Sequence, residues 1–286
     1  MLASALIYGV FLPAALAAAV LLSSLRQREG GDRRAASASA LPAAVGLGFV
    51  AGYAGISGVP KFPPVVTGEW LPFIAFAATA FALGFAFWKP PAWVQLLKSF
   101  LVLAAVQWLM LRPLMEHTWE GAAGWLWLAG TSLAGLAYVE ASERIAAKTA
   151  DHSLLAVAGA SGALTAGTLG LSGSALLAQL MGVQAAVCGV LYLVTLKKPE
   201  LNARFMALPA GAILLALVAN GHFYSEFSLT GAALVMAAPL LPLIAAWKLP
   251  ESVSGWKRSI LLGTLGAVTP AVAALMAVQT PPDVYY

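Results

Sequence analysis

The feature that most limits the fold is the recurrence of apolar stretches bounded by Pro, Gly or charge: 2–24, 41–59, 70–88, 92–112, 121–142, 153–171, 174–196, 205–222, 227–247 and 258–279. A helix rises about 1.5 Å per residue, so about 20 residues cross a hydrocarbon core about 30 Å thick. In lipid each backbone N–H and C=O has to be paired within its own segment, which makes helices the expected structure for such stretches. Ten of them take up about 200 residues and leave about 85 for connections, too few for a soluble catalytic or nucleotide-binding domain. The expected fold is therefore an all-α, polytopic membrane bundle of about ten spans, forming one transmembrane domain over 1–286. A five-plus-five division into 1–145 and 150–286 would invert one half relative to the other, as in many secondary transporters. No residue-level repeat links the two segments.

Composition closes off other classes. Charged residues are 10% of the chain and hydrophobic residues 60%, against about 25% charged in soluble domains. The pI of about 9.3 does not mark a nucleic-acid binder, because the cations flank apolar runs and never form a continuous basic face. With the N-terminus outside, 14 of the 16 Lys and Arg fall on the inner side, and only Lys61 and Arg112 fall outside. The positive-inside rule then predicts both termini outside, and a bacterial inner membrane is the expected location. The charges of LRQREGGDRR follow the first apolar run instead of preceding it, so that run reads as an uncleaved span that keeps Met1 or Leu2. Trp70, Trp119 and Trp125 fall near outer ends, and Trp88, Trp93, Trp247 and Trp256 near inner ends, the pattern of an interfacial aromatic belt.

Within the spans, Ser161, Thr165, Thr168 and Ser172 recur at i, i+4, i+7 and i+11. At 100° per residue they lie within about 60° of one another and make one hydroxyl stripe. Such a stripe lines a solute path, where hydroxyls stand in for water. Alternatively, it bonds its own i−4 carbonyls while the neighbouring glycines let helices approach. Gln184 sits near the middle of the seventh run, and a mid-membrane amide has to face protein or a cavity. Thr79, Thr131, Ser132 and Thr269 lie at comparable depth as candidate neighbours. Gly48 and Gly52 form GxxxG, a close-packing face within the chain or toward a second copy or a larger membrane complex. Pro239 and Pro242, in AAPLLPL, predict a broken or hinged span.

No Asp, Glu or His occupies the centre of a span, which disfavours a proton-coupled carrier, and the three histidines are not placed for a transmembrane haem chain. The single cysteine, Cys188, offers neither a disulfide nor a thiolate metal site. Acidic residues and histidines gather instead on the outer side: Glu69, Glu116, His117, Glu120, His222, Glu226 and Asp283. His117, Glu120, His222 and Glu226 offer the N and O donors that Zn²⁺ accepts, and would serve an intramembrane enzyme with an outward site, but no HExxH or paired-acid motif accompanies them. No resident cofactor is implied. Two functions follow: a permease-like protein that moves or binds a small, weakly polar solute along Ser161, Thr165, Thr168, Ser172 and Gln184, or a non-catalytic subunit that assembles or stabilises a larger membrane complex.

Overall fold

The apolar stretches become helices, and the breaks between them fall at Pro, Gly and charge. The computed structural model describes residues 7–26, 33–87, 91–149, 152–196, 203–250, 253 and 255–279. The helices are α1 (Leu12–Arg26, entered through a π turn at Ile7–Phe11), α2 (Arg33–Ser57), α3 (Leu71–Phe87), α4 (Ala92–His117), α5 (Ala123–Thr149) and α6 (Ser153–Leu171). They continue as α7 (Ala175–Thr195), α8 (Ala207–Tyr224), α9 (Leu229–Met236), α10 (Leu240–Lys248) and α11 (Gly255–Gln279). No strand occurs among the described residues. Among the described residues, seven helical stretches are long and apolar enough to cross a membrane: Ala40–Ser57, Ala92–His117, Ser153–Leu171, Ala175–Thr195, Ala207–Tyr224, Leu229–Lys248 and Gly255–Gln279. The protein is a multi-pass, all-helical integral membrane protein. The expectations for Met1, Trp88, Asp283 and the cations Arg28, Lys89, Lys197 and Lys198 fall outside the described residues.

The organising element is α8. Every residue from Ala207 to Gly221 is buried, because the segment ALPAGAILLALVANG is apolar on all sides and has no polar face to offer to water or loop. It packs against α3, α4 and α5 from the first half of the chain and α7 and α9 from the second. The helices at the margin bury one stripe only. In α11 the buried positions are Ser259, Leu262, Gly263, Gly266, Pro270 and Ala273, which recur along one face of the helix, and Leu275 and Val278 on the far side stay exposed. An exposed surface rich in Leu, Phe and Trp would aggregate in water but is matched to acyl chains.

Gly48 and Gly52 are used inside the chain. A Cβ on Gly48 would come within 2.8 Å of Val187 Cγ2 and 3.1 Å of Ala17 Cβ, and one on Gly52 would overlap Val183. The GxxxG face of α2 therefore seats the Val183 and Val187 side chains of α7 against the α2 backbone, which leaves neither glycine open to another chain. The proline-rich segment breaks its span at Ala237–Pro239, between α9 and α10. Pro239 has no N–H for Val235 O, and that carbonyl instead accepts from Ala238 N at 3.1 Å. The helix tightens for one turn and restarts.

Candidate functional site

The hydroxyl stripe on α6 is buried, and each hydroxyl is committed locally. Ser161 Oγ donates to Val157 O (2.7 Å), Thr165 Oγ1 to Ser161 O (2.8 Å), Thr168 Oγ1 to Leu164 O (2.8 Å) and Ser172 Oγ to Thr168 O (3.0 Å). Thr168 also lies 3.4 Å from Pro270 O on α11. On α7, Gln184 Nε2 donates to Ala210 O of α8 at 2.8 Å, which ties two helices together, while its Oε1 has no partner among the described residues. An open groove of about 760 Å³ runs between α6, α7 and α11, but Gly159, Ala163, Gly182, Ala185, Gly189 and Gly263 line it, on other faces than the hydroxyls and Gln184.

The acidic residues and histidines expected on the outer side do not converge among the described residues. Glu116 pairs with Arg112 (2.7 Å) on the surface of α4, and Glu69 caps its own turn by accepting from Val65 N at 2.7 Å. His117, Glu120 and Glu226 are exposed. His222 Nδ1 lies 2.8 Å from Phe227 O. A carbonyl oxygen can only accept, so Nδ1 carries the proton in that bond. Among the described residues no three His, Cys, Asp or Glu side chains gather into a metal-ligand set. The ring of His222 belongs instead to an aromatic cluster. It stands edge-on to Phe223 at 4.7 Å and 5.8 Å from Trp127, and Trp119 stacks on Trp127 at 6.4 Å.

Beneath that cluster lies a cavity of about 180 Å³ between α4, α5, α8 and α9. Its walls follow from helical periodicity. Trp127, Gly130, Thr131 and Ala134 on α5, Leu215, Val218, Ala219 and His222 on α8, and Leu229, Ala232, Ala233 and Met236 on α9 each follow i, i+3, i+4, i+7, one face of one helix. The α4 wall carries Gln107, ten residues before the end of that helix at His117, hence about 15 Å below it.

Gln107 is 0% exposed, and neither its Nε2 nor its Oε1 has a hydrogen-bond partner among the described residues. Nearly all buried polar side-chain atoms are paired, so two unpaired atoms on one buried amide call for an explanation. Thr131, on the facing wall, gives its proton to Trp127 O at 2.7 Å and keeps its lone pairs. The sequence carried a signal for this residue: LVLAAVQWLML places an amide deep in an apolar run, and the argument applied to Gln184 holds equally for Gln107. Tyr224 closes the α4–α8 seam above it, its hydroxyl donating to Met110 O at 2.6 Å.

In comparisons with known proteins, the chain matches no family profile, no curated protein and no solved structure.

Proposed function

We propose that this protein is a permease-like carrier that binds and moves a small, weakly polar solute, and that the solute is held in the cavity walled by Gln107. The observation that carries the reading is the Gln107 amide, buried in a cavity wall with both of its polar atoms uncommitted. Pockets for small molecules combine apolar and aromatic walls with a few uncommitted polar groups; here the surface facing the space is almost wholly apolar, and the Gln107 amide lies behind it, reached when the walls move. The reading places ten spans in a bacterial inner membrane with both termini outside, as the cation distribution favours, within one domain. The α6 hydroxyls then serve mainly to satisfy carbonyls of α6 itself, Thr168 alone reaching α11, while Gln184 ties α7 to α8. The cavity's fourth wall, α9, ends at the break before Pro239, and a hinge at Pro239 and Pro242 would let α9 swing and uncover an amide that water does not reach in this conformation.

Stopped-flow light scattering on proteoliposomes tests this with acetamide, glycerol and urea. The wild-type chain should accelerate entry of at least one of them over protein-free vesicles. Gly130→Phe should reduce that increment, because Gly130 is an exposed residue at the open rim of the cavity, where a Cβ meets nothing within 4 Å and a large ring would overhang the mouth. No increment for any of the three solutes, or an increment untouched by Gly130→Phe, would sink the reading.

A specific observation also favours the second reading, a subunit of a larger membrane complex: the groove of about 760 Å³, walled by Gly and Ala, in which another transmembrane helix could approach closely. Extraction in mild detergent followed by sizing separates the two. A lone particle of the 29.5 kDa chain plus detergent supports the carrier, and stoichiometric co-purification with other chains supports the subunit.

A further inference from the structure

The walls of the Gln107 cavity narrow what it can hold. Size comes first. Its volume of about 180 Å³ is close to that of an apolar cavity of about 150 Å³ that takes up benzene, so it holds one six-membered ring, and its open side lets a substituent project. Shape follows from the rings of Trp127, Phe223 and His222 on its walls, which favour a flat, offset-stacked or edge-on guest. Charge is disfavoured because no Asp, Glu, Lys or Arg among the described residues lines it, and an ion buried without a counter-charge pays its desolvation in full.

The hydrogen-bonding pattern is the most selective term. A glutamine amide offers an acceptor and a donor side by side in one plane. When both are free, the matching partner carries a donor and an acceptor at the same spacing, the way glutamine reads the edge of adenine. Gln184 cannot do this, since its Nε2 is held by Ala210 O. Thr131 offers lone pairs only, having spent its proton on Trp127 O, so it adds preference for a second N–H. We infer that the cavity selects small, flat, uncharged molecules bearing an adjacent acceptor and N–H donor: aromatic carboxamides, lactams and 2-amino-N-heterocycles. The inference rests on the reading of this cavity as the solute site and adds to it the class of solute.

The test uses the full chain in detergent and four probes, measured by isothermal titration calorimetry: benzamide and 2-pyridone, which carry the pair, toluene, which has the ring without it, and benzoate, which is charged. Wild-type protein should bind benzamide and 2-pyridone, and benzoate at least about tenfold more weakly. Gln107→Leu should weaken benzamide about tenfold to a hundredfold, the value of two hydrogen bonds, and leave toluene unchanged or tighter. Retained toluene binding shows that the variant is folded and its cavity intact. Gly130→Leu, at the exposed rim, should weaken all the probes that bind together, by narrowing the mouth. If benzamide and toluene bind alike and neither responds to Gln107→Leu, the solute class is wrong while the cavity remains a solute site. If none of the four probes binds wild-type protein, the class and the cavity reading fall together.

Discussion

Replacing Gln107 with leucine should make this protein more stable. A buried polar residue normally contributes through its hydrogen bonds, and truncating it is destabilising. Gln107 makes none among the described residues and is 0% exposed, so neither protein nor water offsets its loss of hydration. Each unpaired buried polar atom costs about 1–3 kcal/mol, which gives about 2–6 kcal/mol for the two. Leucine removes both and fills a similar volume, with a packing mismatch of about 1–3 kcal/mol against it. The net expectation is a gain of about 1–3 kcal/mol. At roughly 2–4 °C per kcal/mol for a chain of this size, the melting temperature should rise by about 2–12 °C. The assay is a thermal melt of both proteins in the same detergent, without added ligand, followed by tryptophan fluorescence or by the monodisperse peak on sizing. A melting temperature lowered by 2 °C or more would refute the reasoning, because it would mean that the amide is paired. Stability gained together with ligand binding lost is the signature of a residue kept for function at a cost in folding.

The other glutamine should respond less: Gln184→Leu breaks the bond to Ala210 O, a loss of about 0.5–1.5 kcal/mol, but also removes the unpaired Oε1, so its melting temperature should lie closer to wild type than that of Gln107→Leu in the same assay. Gly52→Leu drives a side chain into Val183 on α7 and should cost about 1–3 kcal/mol or prevent a monodisperse preparation, whereas Gly130→Ala, where the new Cβ meets nothing, should leave the sizing profile unchanged. Arg112→Ala removes an ion pair whose two side chains are 58% and 47% exposed. Its effect should stay within about 0.5 kcal/mol, and a larger loss would mean that the segment around Glu116 carries more than a solvated ion pair.

The sequence by itself determined the class and much of the chain's punctuation. Hydropathy and run length are properties of consecutive residues, so the apolar stretches and the helical bundle could be read directly. The same is true of the break at Pro239, where a missing N–H acts on a carbonyl four residues away. GxxxG at Gly48 and Gly52 marked a close approach, though only the fold showed that the partner is α7 of the same chain. The α6 stripe was legible as a stripe, and both of its readings were open. Its hydroxyls are bonded within the helix because the i−4 carbonyl is the nearest acceptor, whatever the surrounding helices do.

Tertiary structure alone decided between the two glutamines. MGVQAAV and AAVQWLM look alike as strings, and each sets an amide deep in an apolar run. What separates them is whether a free carbonyl of another helix comes within about 3 Å. Gln184 meets Ala210 O, 26 residues along the chain; Gln107 meets the walls of α5, α8 and α9, where no carbonyl is offered. Hydrogen-bond satisfaction in a membrane bundle depends on pairs of residues far apart in sequence, and helix packing chooses those pairs.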